Sequence, residues 1–123
     1  LLPGEVPLVM SDGVFPTFGE IAPVDRYQEV LAPHAGLLWL DDAHGVGVLG
    51  DHGRGTCNHF GLKDEAEIII GTFSKSLASV GGFVAASADV IHYIQHNARA
   101  LMFSASMPPA SVRRASTRSS APA

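Results

Sequence analysis

Short, uninterrupted runs of apolar residues are the feature of this sequence that most limits its fold. The clearest run extends from Leu37 to Leu40 and ends at Asp41, and a second run, residues 68–70, is followed by Gly71. A parallel strand that is covered on both faces is apolar at every position, whereas a half-exposed strand alternates. We therefore predict an α/β fold with a mostly parallel sheet covered on both faces.

Turn and capping residues place the remaining elements. Further predicted strands cover residues 6–10, 67–71, 82–86 and 101–103. Pro23 suits the first turn of a helix that Pro33 ends, and Ser87 can cap a helix that continues towards Arg99. Residues 14–19 contain proline and glycine and are predicted to form an irregular loop. Because the carboxyl ends of parallel strands meet at one edge of a sheet, a ligand site is expected at that edge.

Length and composition restrict the class of protein. The 123 residues are 46% hydrophobic, which is enough for one modest globular domain. The formal net charge of -4 offers no basic face for nucleic acid. No apolar run approaches the ~20 residues that a membrane helix needs, so no membrane partner is expected. The single cysteine, Cys57, is typical of a reducing compartment, and the cytoplasm is the expected location.

We expect the chain to be a piece of a larger protein that is incomplete at both ends. It begins at Leu1 rather than methionine, and beyond Val112 only small, polar and basic residues follow. Residues 1–110 are predicted to form the central part of one domain. Residues 111–123 are predicted to be a disordered or non-native tail, because they bury too little apolar surface to offset the entropy of ordering.

Polar groups that follow predicted strands form the candidate site. Lys75 lies in the segment 71–76 (Gly-Thr-Phe-Ser-Lys-Ser), where we expect an amine partly withdrawn from water that can form a Schiff base. Thr72 and nearby backbone N–H groups can hold a phosphate. Asp41, expected to be largely buried, needs a cation or strong donor, and His44 can bond to Asp41 or stack on the same ligand. An amine, a phosphate cradle and a buried carboxylate are together the groups that hold pyridoxal 5'-phosphate (PLP).

Other readings of these motifs are weaker. A carboxylate or amine that only caps a strand end would need no ligand. The segment Gly45–Gly50 matches the dinucleotide pattern G-x-G-x-x-G, but no helix follows it. His52, Cys57 and His59 could bind zinc, yet their spacing fits no standard zinc pattern. The segment around Lys75 is not a P-loop, because serine precedes the lysine where glycine is required.

Five motifs, taken in order, resemble those of a known enzyme family. They are residues 41–47 (Asp-Asp-Ala-His-Gly-Val-Gly), 53–55, 71–76, 81–83 and 103–109. From about residue 12 to residue 110 the chain is similar to the class II, fold-type I PLP enzymes, and most of all to the α-oxoamine synthases. That group includes aminooxononanoate synthase, 2-amino-3-ketobutyrate CoA ligase, serine palmitoyltransferase and aminolevulinate synthase. The resemblance implies part of the large domain of a homodimeric enzyme that condenses an amino acid with an acyl-CoA.

The resemblance also implies individual roles. Lys75 would carry the cofactor as a Schiff base, and Lys75 and His44 would be the catalytic residues. Asp41 would pair with the pyridine nitrogen, His44 would lie by the ring hydroxyl, and Thr72 would contact the phosphate. Ser104 would contact the phosphate of the neighbouring subunit's cofactor.

One motif departs from the family pattern. Residues 14–19 lack the serine and the acidic residue that the family has there, so a hydroxyl near the cofactor ring is missing. The predicted function is a PLP-dependent acyltransferase of the α-oxoamine synthase type, here as a fragment expected to be inactive alone. The alternative is a PLP-dependent aminotransferase, or another amino-acid enzyme that does not use CoA. A non-catalytic fragment is the third hypothesis.

Overall fold

A four-stranded mixed sheet organises the structure, a computed structural model that describes residues 2–62 and 66–119, with side chains to residue 116. The strands in this part of the chain are β1 (Leu8–Asp12), β2 (Val14–Phe15), β3 (Glu20–Ile21), β4 (Leu37–Asp41), β5 (Ile68–Thr72) and β6 (Gly82–Ala86). The main sheet has the order β1-β4-β5-β6, and β2 pairs with β3 in a separate hairpin. The β1–β4 and β4–β5 pairs are parallel, whereas β6 runs antiparallel to β5. The prediction of a mostly parallel α/β sheet is confirmed.

Helices connect and flank these strands. The described residues form α1 (Val24–Leu31), α2 (Thr56–His59), α3 (Ala88–Asn97), α4 (Arg99–Met102) and α5 (Pro109–Ser119), with 3-10 turns at Ala32–His34 and Asp51–Gly53. The side chain of Ser87 caps α3 by accepting a hydrogen bond from the backbone N–H of Val90, as predicted from its position. No helix in the described ranges combines the length and apolar character needed to cross a membrane.

The core lies on one face of the sheet only. Leu38 and Leu40 of β4 are 1% and 0% exposed and pack with Val24 and Leu31 of α1 and with Cys57 of α2. The opposite face of the sheet is open in the described residues, where β1 carries large apolar side chains that are half exposed. The prediction that the strands are covered on both faces is therefore wrong for this chain, although their apolar composition is that of doubly covered strands.

Two local predictions need correction. Residues 14–19 were predicted to be an irregular loop; residues 16–19 form a turn, with Gly19 in the left-handed region at φ 70°, but Val14–Phe15 is strand β2, which pairs with β3 in a short hairpin. Residues 101–103 were predicted to be a strand, but Arg99–Met102 is a helical turn. The Phe103 side chain that follows it is 82% exposed. An apolar run of three residues cannot distinguish a strand from a helical turn without a partner strand.

Residues 111–123 were expected to be a disordered or non-native tail, and the structure has a helix, α5, over this segment as far as Ser119. Ala115 is 7% exposed, and Val112 and Ala115 line a small cleft with Phe73 and Met107. The backbone carbonyl of Ser111 accepts a hydrogen bond from the Ser79 hydroxyl. These contacts give the helix a docking surface that composition alone does not reveal. Residues 120–123, the end of the expected tail, lie outside the described residues.

Candidate active site

The end of β4 separates two adjacent aspartates onto opposite faces of the sheet. Successive side chains of a strand point to opposite sides of the sheet. Asp41 therefore lies on the same face as the exposed Leu37, and Asp42 lies on the same face as the buried Leu38 and Leu40. Asp42 is 2% exposed, whereas Asp41 is exposed and accepts a hydrogen bond from the Ala43 N–H at 3.1 Å. The prediction that Asp41 is the buried carboxylate is wrong; the buried one is its neighbour.

Asp42 anchors the loop that follows β4. Its two carboxylate oxygens accept hydrogen bonds from Thr56, one from the backbone N–H at 2.8 Å and one from the hydroxyl at 2.5 Å. Burial raises the pKa of Asp42 above its ordinary value of 3.8, and the Thr56 hydrogen bonds offset part of this rise. Gly13, Gly45 and Gly55 surround the carboxylate so closely that a Cβ at any of them would collide with it. The glycine spacing after β4 therefore serves this carboxylate rather than a dinucleotide.

Asp41 faces a cleft of about 630 Å³ on the open side of the sheet. The cleft is lined by residues that include Met10, Asp12, Trp39, Asp41 and Ile70. Asp12 is the register partner of Asp41 on β1, and Ile70 is its partner on β5. Two exposed carboxylates thus flank one another at the carboxyl edge of the sheet, and they give this cleft a negative potential that favours a cationic group. His44, Thr72 and Lys75 are not part of its lining.

The turn after β5 contains two hydroxyl groups and the candidate lysine. Thr72 donates its hydroxyl to the backbone carbonyl of Gly81 at 3.1 Å and lies 2.8 Å from the hydroxyl of Ser74. The Ser74 N–H also approaches the Thr72 hydroxyl at 3.2 Å. Lys75 is exposed, so the expectation that its amine is partly withdrawn from water is wrong in this chain. Because Thr72 lies two residues beyond Ile70, its side chain shares the face of the sheet that carries Asp41.

A hydrogen bond joins the two loops that carry the candidate residues. The hydroxyl of Ser76 donates to the backbone carbonyl of Val46 at 2.6 Å, and this contact is half-buried. Val46 lies two residues after His44, which is itself half-buried in the turn that begins at Asp42. The structure therefore brings the His44 loop and the Lys75 loop together. Sequence reasoning missed Ser76, although its place in a hydroxyl-rich turn was a signal.

Ser104 occupies a different setting from the one predicted. It follows helical turn α4 instead of a strand, is exposed, and donates its hydroxyl to the carbonyl of Ala100 within its own turn. The zinc hypothesis also has no support from the placement of its residues. Across the described residues, no group of three or more His, Cys, Asp and Glu side chains is arranged to hold a metal ion. Cys57 belongs to the core, and His59 packs edge-on against Phe60.

These features define a class of protein: an α/β protein with an acidic cleft and a lysine-bearing turn at the carboxyl edge of neighbouring strands, where ligands bind in such folds. The model of the family described as aminotransferase class I and II matches residues 3–120, and the chain belongs to this family.

Named relatives narrow the comparison. Serine palmitoyltransferase of Sphingobacterium spiritivorum is 54% identical over 112 residues, which are 90% of this chain and 28% of the relative. An 8-amino-7-oxononanoate synthase of Alkaliphilus metalliredigens is 45% identical over 105 residues, 85% of this chain and 27% of the relative. A solved structure of serine palmitoyltransferase with its PLP internal aldimine superposes with a TM-score of 0.86 at 34% identity, covering 97% of this chain and 30% of that one. The chain spans less than a third of the length of these relatives, and the predicted family and fold are confirmed.

Proposed function

We propose that this chain is part of a PLP-dependent acyltransferase of the α-oxoamine synthase type, which condenses an amino acid with an acyl-CoA. Its similarity to serine palmitoyltransferase and 8-amino-7-oxononanoate synthase supports this reaction class. Residues 1–110 would be the central part of the large domain of a homodimeric, cytoplasmic enzyme. The 123-residue chain alone is expected to show no turnover.

The residues present fit PLP. A cleft lined by the exposed carboxylates of Asp12 and Asp41 suits a protonated ring nitrogen, and Asp41 accepts only one described hydrogen bond, from its own turn. The adjacent hydroxyls of Thr72 and Ser74 suit a phosphate. Lys75 offers an exposed amine in the same turn. The hydrogen bond from Ser76 to Val46 joins the turn that carries Thr72 and Lys75 to the loop that follows Asp41. This contact is the single observation that carries the proposal.

When bound, PLP supplies an electron sink for the carbanion formed at the α-carbon of an amino acid. Asp41 would keep a proton on the ring nitrogen by its negative charge, and the Thr72 hydroxyl would bind the phosphate. Lys75 Nζ would hold the cofactor and transfer the substrate proton as acid and base. His44 would lie beside the ring and orient it. Ser104 would contact the cofactor phosphate of the partner subunit.

The attachment site can be tested on the chain itself. Incubation with PLP followed by sodium borohydride should attach the cofactor permanently to Lys75, as located by peptide mapping. Lys63 is the other lysine of the sequence and supplies the matched control, since Lys63→Arg should leave labelling intact and Lys75→Arg should abolish it. Labelling that follows Lys63 instead of Lys75 would contradict the proposal.

Catalysis can be tested in a chimera. This chain would replace the matching 28% of the Sphingobacterium spiritivorum serine palmitoyltransferase, with the intact relative as the reference. The chimera should release CoA when given an amino acid and an acyl-CoA, and Lys75→Ala should remove this activity. CoA release that survives Lys75→Ala would refute the assignment of the catalytic lysine.

A second candidate function is an aminotransferase, or another amino-acid enzyme that does not use CoA. The family description, aminotransferase class I and II, favours it, as does the absence of serine and an acidic side chain at residues 16–18. Keto-acid production without CoA release by the same chimera would favour this candidate. A non-catalytic fragment would produce neither product.

A further inference from the structure

Ser76 links the turn that carries Lys75 to the loop that carries His44. Its hydroxyl donates to the backbone carbonyl of Val46 at 2.6 Å across a separation of 30 residues. The contact is tight on the side that faces Gly47, where an added Cβ would collide with the Ser76 side chain. Gly47 is also fixed by its own hydrogen bond, from its N–H to the carbonyl of Gly53 at 2.8 Å.

The acceptor of this hydrogen bond belongs to a loop that is itself hydrogen-bonded to the end of β4. The Val46 N–H donates to the backbone carbonyl of Asp42 at 2.9 Å, and the buried Asp42 carboxylate is held by both donors of Thr56. The bond from Ser76 therefore ties its turn to a loop that the end of β4 fixes. The side chain of Lys75 is exposed, so the position of this residue depends on its backbone. The Lys75 carbonyl accepts a hydrogen bond from the Ala78 N–H at 3.0 Å.

A lysine side chain has four rotatable carbon–carbon bonds, so the position of its amine depends on how firmly its backbone is held. We propose that Ser76 is a positioning residue for Lys75. Its hydrogen bond holds the turn that carries Lys75 against the loop after β4. This inference rests on the proposed function of Lys75. Precise placement of a reacting group is worth a large factor in rate because it removes the entropy of alignment.

The test compares Ser76→Ala with Ser79→Ala, a control in the same turn. The hydroxyl of Ser79 is half-buried and donates at 3.0 Å to a distant backbone carbonyl, that of Ser111. Both variants lose one comparable hydrogen bond, but only Ser76 is bonded to the loop after β4. A third variant, Ser76→Thr, keeps a hydroxyl at the critical position.

Two measurements on the full chain are needed. The first is amide hydrogen exchange at Val46 and Gly47 without cofactor, and the second is the rate at which PLP and borohydride label Lys75. Ser76→Ala should accelerate exchange and slow labelling by about threefold to tenfold, the range expected for loss of one hydrogen bond. Ser79→Ala should change labelling less than twofold, and Ser76→Thr should restore most of the rate.

The inference is overturned if Ser76→Ala slows labelling no more than Ser79→Ala does, or if Ser76→Thr behaves like alanine. Unchanged exchange at Val46 and Gly47 would also overturn it. If Lys75 of the unsubstituted chain does not react with PLP, the proposed function fails. In that case the exchange rates still decide separately whether Ser76 orders the two loops.

Discussion

Replacement of Asp42 by alanine should lower the free energy of unfolding by about 2–4 kcal/mol. Asp42 is 2% exposed and Thr56 is fully buried, and alanine would leave both donors of Thr56 without their acceptor. A buried polar group without a partner costs about 1–3 kcal/mol, so two groups would cost about 2–6 kcal/mol. Removing a buried carboxylate recovers part of its desolvation cost, which brings the expected loss into the lower half of that range.

Asp42→Asn separates the role of the hydrogen bonds from that of the charge. An asparagine at this position can accept from the Thr56 N–H and donate to the Thr56 hydroxyl oxygen, so the site keeps its shape and a hydrogen bond to each group, the second with its direction reversed. We expect this variant to lose clearly less stability than Asp42→Ala at neutral pH. A large loss from alanine with a small loss from asparagine would identify the contacts, and not the negative charge, as the stabilising factor.

The pH dependence has a definite sign. Burial raises the pKa of Asp42 in the folded protein above its ordinary value of 3.8, so the folded state binds a proton more tightly than the unfolded state. Proton binding by Asp42 therefore stabilises the folded state. This stabilisation is fully present below pH 3.8 and is lost as the pH rises through the pKa of Asp42 in the folded protein. Asp42→Asn has no such group, so the parent chain should lose stability relative to this variant as the pH rises from about 4 towards neutrality.

Urea unfolding followed by the fluorescence of Trp39, the single tryptophan, measures both effects close to the site. A loss of about 2–4 kcal/mol should move the midpoint of Asp42→Ala down by roughly 1–2 M urea. Two results would refute this reasoning. One is an Asp42→Ala variant within about 0.5 kcal/mol of the parent chain, and the other is a parent chain that gains stability relative to Asp42→Asn as the pH rises.

Two further substitutions test the backbone around the site and the core. Gly45→Ala should lower the free energy of unfolding by about 1–3 kcal/mol, because its Cβ would lie 2.5 Å from the Thr56 hydroxyl; an unchanged urea midpoint would contradict the packing around Asp42. Ala35→Gly should raise the free energy of unfolding by up to about 1 kcal/mol, because Ala35 ends its 3-10 turn at φ 47°, where glycine has no steric cost. Thermal unfolding of this variant should show a higher midpoint, and a lower one would contradict the left-handed conformation.

Apolar runs predicted the sheet well because they report what each strand is suited to contact. The run from Leu37 to Leu40 correctly predicted β4, which pairs in parallel with β1 and β5. The coverage of the second face could not be predicted, because a side chain such as Met10 can be apolar and still be 62% exposed when nothing in the described chain packs on it. The helix over 109–119 was missed for the related reason that its buried contacts are made by small residues such as Ala115.

The candidate site was predicted in part. The sequence correctly placed Asp41 at the end of a strand, but a run that is apolar at every position contains no alternation and so cannot reveal which of two following aspartates turns inward. Ser76 could not be assigned because its acceptor is a backbone carbonyl 30 residues away. The roles given to Lys75, His44 and Thr72 in cofactor binding stay predictions.

The two aspartates at the end of β4 lie in different environments, and the register of the sheet fixes which of them is buried. β4 is paired on both sides, so Asp41 lies opposite Asp12 of β1 and opposite Ile70 of β5. A shift of one residue in the register would exchange the two faces of the strand. Asp41 would then be buried without hydrogen bonds from Thr56, and Asp42 would be exposed. Asp42 is satisfied within the chain, whereas Asp12 and Asp41 place two like charges side by side on an open cleft. Like charges at adjacent positions repel one another, and a cation bound between them relieves that repulsion. The same register that places Asp42 on the buried face thus places Asp12 and Asp41 together on the exposed face.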